Sequence, residues 1–93
     1  MKDRITILIP HYQTLDAIKL CLRSIRRYTS KDHPVWVLDN GSQDESMKYL
    51  NTLSWIRLVE SPHSNDPAIS HFRCINDVLG EIETSTFLIM HSD

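Results

Sequence analysis

Glycine is scarce in this 93-residue chain, which has two, and cysteine is as rare. Gly41 and Gly80 stand too far apart to build a GxGxxG fingerprint or a GxxxxGK(S/T) loop, so neither a dinucleotide turn nor a P-loop is present. Cys21 and Cys74 form no CxxC pair, which removes the usual zinc-ribbon and redox motifs; two free thiols suit a reducing cytoplasm. Long hydrophobic runs are also missing. After Met1-Lys2-Asp3-Arg4 the apolar stretch is only Ile5 to Ile9, interrupted by Thr6. A signal core needs roughly 7–15 apolar residues and a membrane span about 20, so neither is expected. Charge of one sign does not dominate: ten basic and twelve acidic residues leave a net charge of −2, which speaks against a nucleic-acid surface. Arg23, Arg26 and Arg27 cluster at helical spacing and read as a solvated face. The five histidines form no HxxxH or HExxH pair, and the only zinc set to consider would gather His63, His71 and His91 with Asp93.

What is present is an ordinary globular composition, 41% hydrophobic and 24% charged, enough for one domain spanning 1–93 with a modest core. Four short apolar runs alternate with three helical patterns. Ile5-Thr6-Ile7-Leu8-Ile9 is nearly continuous and β-branched, as in a strand covered on both faces, and Pro10 is expected to end it. Leu15, Ile18, Leu22 and Ile25 recur at spacings of three and four, predicting an amphipathic helix with Thr14 as cap and Asp16 in its first turn. Val35 to Leu38 predicts a second strand. Ser42-Gln43-Asp44-Glu45 fits a capping box, opening a short helix marked by Met47, Leu50 and Leu53. Trp55 to Val59 predicts a third strand. Asp66-Pro67 starts a third helix, with Ile69, Phe72, Ile75 and Leu79 on its apolar face and Gly80 as its stop. Thr86 to Met90 predicts a fourth strand, leading into His91-Ser92-Asp93. Trp36 and Trp55 read as core or helix-covering residues.

The order β-α-β-α-β-α-β predicts an α/β fold, a Rossmann-like parallel sheet of about four strands with helices on both faces. In such sheets ligands bind at the carboxyl ends of the strands, near the point where strand order reverses. The loops to inspect are therefore Pro10 to Gln13, Asp39 to Ser42, Glu60 to Asp66 and His91 to Asp93. Asp39 and Asn40 at a strand end can hydrogen-bond a base edge or ribose hydroxyls, and the helix N-terminus that follows favours an anion. An ordinary β-α turn would account for the same residues.

Taken in order, these segments resemble family 2 glycosyltransferases of the GT-A fold, in their N-terminal, nucleotide-sugar-binding portion. Ile7-Leu8-Ile9-Pro10-His11-Tyr12 resembles the family's opening strand and IP-x-Y loop, and Val37-Leu38-Asp39-Asn40-Gly41-Ser42-Gln43-Asp44 its VVD(D/N)GS-x-D segment. Ile18, Cys21, Leu22, Ser24 and Ile25 match its L-x-x-C-L-x-S-I helix. Asn76 stands where the family often has the Asn of an A-R-N helix, and His91-Ser92-Asp93 stands in the place of its D-x-D motif.

The resemblance implies an inverting transfer of a sugar from a nucleoside-diphosphate donor, a UDP- or dTDP-sugar, to a saccharide or other hydroxyl acceptor. Pro10, His11 and Tyr12 would line the nucleotide pocket, Asp39 would contact or order ribose and loop, and Asn40 would meet the base. His91 departs from the family's first aspartate, exchanging a carboxylate for an imidazole near the ribose. Asp93 would ligate Mn²⁺ or Mg²⁺ on the diphosphate. The family's catalytic base and acceptor half lie downstream of D-x-D, so no residue here is assigned as base and the chain is expected to be inactive alone. A non-catalytic nucleotide-binding or regulatory module on the same fold is the alternative. The implied setting is cytoplasmic, peripheral at the inner membrane face in a full-length context, with self-association through an exposed sheet edge.

Overall fold

The structure is a computed structural model that describes residues 4–42, 44–60, 75–76 and 78–90. Its elements are β1 (Ile5–His11), α1 (Leu15–Tyr28), β2 (Val35–Asp39), α2 (Ser46–Leu50), β3 (Ile56–Glu60), a 3₁₀ turn (Leu79–Glu81) and β4 (Thr86–Ile89). All four strands are parallel, in the order β3-β2-β1-β4. The chain steps outward from β1 to β3, then returns past β1 to lay β4 on its far side. Strand order thus reverses at β1, and the crevice beyond its carboxyl end is where an α/β sheet receives a ligand.

β1 and β2 are buried along nearly their whole length, as their continuous apolar runs require. One face packs Ile7, Ile9, Val35 and Val37 against Ile18, Leu22 and Ile25 of α1 and Leu50 of α2. The other packs Leu8, Trp36 and Leu38 under Val78, with Ile75 and Ile82 at the margin. Trp36 is core and Trp55 covers the α1 face, as expected. Arg57 lies 4.4 Å from the Trp36 ring centre and pairs with Glu81 at 2.5 Å, tying β3 to the 3₁₀ turn. On so exposed a pair the gain is small, about 0–1 kcal/mol. Buried Thr6 is satisfied by Thr84: the Thr84 hydroxyl donates to the Thr86 carbonyl, leaving Thr6 as donor in their 2.7 Å contact.

Several boundaries differ from the sequence reading. Pro10 does not end β1, which runs on to His11. The Ile7 N–H and the His11 carbonyl engage the β2 side, whereas the Leu8 carbonyl accepts from Met90 beyond β4. Pro10, two residues after Leu8, therefore turns its nitrogen toward β4, whose pairing has already stopped at Leu8↔Ile89. The missing N–H is not needed there. Thr14 is the residue before α1 but makes no side-chain cap bond; its hydroxyl lies 3.4 Å from His11 Nδ1. The capping box at Ser42 does not form. α2 begins four residues later, at Ser46; its N-cap residue Glu45 makes no side-chain cap bond, and the Ser46 N–H is accepted by Asp44 instead.

The third helix is described only at Ile75, Asn76 and Val78, which are helical and lead into the 3₁₀ turn that contains Gly80. Its expected start at Asp66-Pro67 lies outside the described residues, as do His63, His71 and Cys74. Cys21 is a free, half-buried thiol, and burial pushes its pKa up. No helix among the described residues is long and apolar enough to cross a membrane.

Candidate nucleotide site

The parallel register of β1 and β2 sets His11 opposite Asp39 and Pro10 opposite Leu38. Two loops therefore leave the sheet side by side, one carrying His11-Tyr12-Gln13 and the other Asn40-Gly41-Ser42. The Asn40 N–H donates to the His11 carbonyl at 2.9 Å, extending the ladder to its last rung.

Asp39 organises what lies beyond. It is 2% exposed, and its Oδ2 accepts the N–H groups of Gly41 at 3.1 Å and Ser42 at 2.9 Å. Its Oδ1 accepts the Ser42 hydroxyl at 2.5 Å. This is an Asx-type turn, and it requires Gly41 to take φ 81°, a left-handed conformation that costs glycine little. The Ser42 oxygen, its own proton given to Asp39, accepts the Gln13 N–H at 2.9 Å. One carboxylate thus ties the β1 loop to the β2 loop through a single hydroxyl. Gln13 is held at φ 47°, the one non-glycine residue among those described with positive φ. Backbone strain of this kind, of order 1–3 kcal/mol, persists only where neighbours over-determine it.

Beside this junction Asn40 is 7% exposed, and its Oδ1 is buried with no hydrogen-bond partner among the described residues. A buried acceptor left unpaired costs about 1–3 kcal/mol, so the position favours a further donor. Tyr12 is 39% exposed at the lip of the same loop, and His11 is buried beneath it. Asp44, on the approach to α2, is held below the usual carboxylate range. The largest cause is the adjacent Ser46 hydroxyl, followed by the Ser46 N–H, which donates to Asp44 Oδ1 at 3.0 Å.

Of the sequence-predicted site residues, Pro10, His11, Tyr12, Asp39 and Asn40 come together at the carboxyl ends of β1 and β2. His91 and Asp93 lie outside the described residues; Met90, the last one before them, donates its N–H to Leu8 of β1. Among the described residues no group of three or more His, Cys, Asp or Glu gathers as a metal cage. The zinc set considered for His63, His71, His91 and Asp93 falls wholly outside them. Two participants were missed. Ser42, which the sequence offers both as the end of the Asp39-Asn40-Gly41-Ser42 turn and as a helix cap, is the hub between loops. Nothing in the sequence marks the left-handed Gln13.

Comparison with known proteins agrees with this fold. A mannosyltransferase from Pyrobaculum calidifontis, solved in complex with GDP-Man and Mn²⁺, superposes with a TM-score of 0.76 at 22% identity, over 100% of this chain and 28% of that one. A teichoic acid poly(glycerol phosphate) polymerase from Staphylococcus epidermidis is 25% identical over 96 residues, covering 98% of this chain and 13% of the polymerase. The chain thus spans only a minor part of either relative. The family model described as glycosyl transferase family 2 matches residues 6–93, and the chain belongs to that family.

Proposed function

We propose that the junction of the β1 and β2 loops is the nucleotide pocket for a nucleoside-diphosphate sugar, a UDP- or dTDP-sugar, used by an inverting glycosyltransferase. The observation that carries this is the Asn40 Oδ1 at the sheet's switch point, buried and without a partner among the described residues. An acceptor there suits a ring N–H of a pyrimidine base, with Tyr12 at the lip of the loop to lie against base or ribose. Asp39 has three of its acceptor positions taken by Gly41 and Ser42, so its part is to order the loop that presents Asn40. The nucleotide sugar and Mn²⁺ in the mannosyltransferase complex support a donor and a divalent cation of the same classes.

For the metal, Asp93 supplies a hard carboxylate oxygen suited to Mn²⁺ or Mg²⁺, and His91 an imidazole that Mn²⁺ tolerates better than Mg²⁺. When bound, the cation offsets charge on the leaving diphosphate. The base that deprotonates the acceptor hydroxyl, and the acceptor site, are assigned to no residue of this chain. The 93 residues bind donor and do not transfer sugar alone. A cytoplasmic setting suits the free Cys21 thiol, and in a longer protein the domain can sit peripherally at the inner membrane face.

Calorimetric titration with UDP and dTDP, with and without Mn²⁺, tests the reading. Binding strengthened by the metal is expected. Asp93→Ala should abolish the metal-dependent part, and Asn40→Leu should weaken binding about tenfold, the worth of one hydrogen bond to a buried group. Metal-independent or absent binding by the folded chain would instead identify a non-catalytic module.

Self-association through β4 belongs to the same reading. Phe87, Leu88 and Ile89 are all exposed, Leu88 on one face and its two neighbours on the other. An apolar edge strand of this kind invites pairing with another copy. Sedimentation should show a dimer fraction rising with concentration, reduced by Leu88→Lys; a wild-type monomer at all concentrations would sink this part.

A further inference from the structure

Half of the chain's ten lysines and arginines lie along one seam between α1 and α2: Lys19, Arg23, Arg26, Arg27 and Lys48, with Glu45 the one acidic residue among those lining it. The four on α1 fall as Lys19, Arg23 and the adjacent pair Arg26-Arg27, which places positive charge on three successive turns about 5 Å apart, over about 12 Å of helix. The floor of the seam is apolar and aromatic, formed by Leu22, Tyr49, Leu53 and Trp55. Lys19 Nζ stands 5.2 Å from the Tyr49 ring centre, and the Arg26 guanidinium 5.1 Å from that of Trp55. Ring faces hold these cations in place without neutralising them. Among the described residues none of the five joins an ion pair, since the pair present, Arg57 with Glu81, sits on the opposite face of the sheet. In a chain whose net charge is −2, so local a concentration of positive charge works against folding by self-repulsion and favours an anionic ligand.

We propose that this seam binds an extended, base-free polyanion: a flexible chain bearing phosphate groups that run along α1, one against each successive cation. The shape favours a chain. The cleft has a volume of about 330 Å³ and is lined by Arg23, Arg26 and Arg27 together with its ring floor. A flat membrane would instead be met by outward apolar side chains, yet the exposed ones on α1, Leu20 and Tyr28, straddle Ser24 on the outer side of the helix. Nucleic acid is disfavoured for a different reason. Its bases need open ring faces to stack on, and Tyr49 and Trp55 are already covered by Lys19 and Arg26. The proposal stands independently of the donor-site reading, because it uses none of the residues at the strand ends.

Inorganic polyphosphate is the probe, titrated against the 93-residue chain with Trp55 fluorescence as the signal. Four phosphate contacts predict an affinity that falls with salt on a logarithmic slope of about −3. The triple variant K19Q/R23Q/R27Q, which leaves Arg26 on its ring, should bind at least about tenfold more weakly with a shallower slope. Arg57→Gln, on the other face, should bind like the wild type. Circular dichroism establishes that each variant is folded before its titration is read. Equal affinity for wild type and triple variant, or a flat salt dependence, overturns the proposal. Tighter binding to phosphatidylglycerol vesicles, or to oligo-dT, through the same residues overturns it in favour of a membrane or a nucleic acid.

Discussion

Asp39→Ala is expected to lower stability by about 2–3 kcal/mol and to abolish nucleotide binding at the site it organises. The carboxylate accepts three hydrogen bonds, and bonds to a charged group are worth about 1.5–3 kcal/mol each. They do not add, because they form one network, and the half-buried Gly41 and Ser42 N–H groups recover part of the loss by turning to water. The second consequence is larger for function than for folding. Without Oδ1 the Ser42 hydroxyl loses its acceptor and is free to rotate, so the Gln13 N–H loses a fixed partner. Gln13 then loses one of the contacts that hold it at φ 47°, and the loop carrying Tyr12 is expected to shift relative to Asn40. Ser42→Ala separates the two effects. It keeps the backbone bonds to Asp39 Oδ2, costs about 1 kcal/mol, and should still disturb the Tyr12 loop. Urea unfolding of the three proteins, with nucleoside-diphosphate titration alongside, measures both. An unchanged midpoint in Asp39→Ala would mean that the turn is held by something other than its carboxylate.

The architecture was legible because its strongest signals were long-range and redundant. β1 and β2 are continuous apolar runs that only a doubly covered strand explains, and the apolar spacing from Leu15 to Ile25 fits a helix and nothing else. Alternation of the two periods then implies the parallel sheet, and with it the edge where the site lies. Asp39 and Asn40 follow from that placement and from their polar chemistry; Pro10, His11 and Tyr12 lie on a loop the placement singles out, and their part in a nucleotide pocket rests on the family resemblance. The connections were less legible, because there two local rules compete for the same atoms. Ser42 can cap a helix through its hydroxyl or close a turn with Asp39, and the sequence satisfies both patterns. The turn wins because Gly41 can enter the left-handed region, which swings the Ser42 N–H and hydroxyl together onto Asp39. Three bonds then compete with one. The same local choice delays α2 to Ser46. Pro10 misled for a related reason: a proline is unwelcome in a central strand only where its nitrogen faces a paired neighbour, and the stopping point of β4 is a fact of tertiary structure.

Leu22→Ala should be the most damaging single truncation on α1, at about 3 kcal/mol. Leu22 is 0% exposed at the middle of the helix's buried stripe, with Ile18 and Ile25 on either side and the Ile7, Ile9, Val35 and Val37 surface beneath. The helix has no side-chain cap, and a 14-residue helix is marginal in water by itself, so packing must supply its stability. Removing a buried leucine side chain costs about 2–5 kcal/mol, depending on how far the surroundings close. Here the residue also lines the open cleft against α2. Water and the Tyr49 and Trp55 rings can occupy part of the space, which places the cost below the top of that range. Against a total stability of about 5–15 kcal/mol this is a large fraction, and at about 4–8 °C per kcal/mol it lowers the melting temperature by about 12–24 °C. Leu20→Ala provides the comparison, the same chemical change at a position 69% exposed on the outer side of the helix. It should stay within about 0.5 kcal/mol of the wild type. Equal unfolding midpoints for the two variants would show that α1 is not held by its buried stripe, and the cleft that its cations line would then lack a rigid wall.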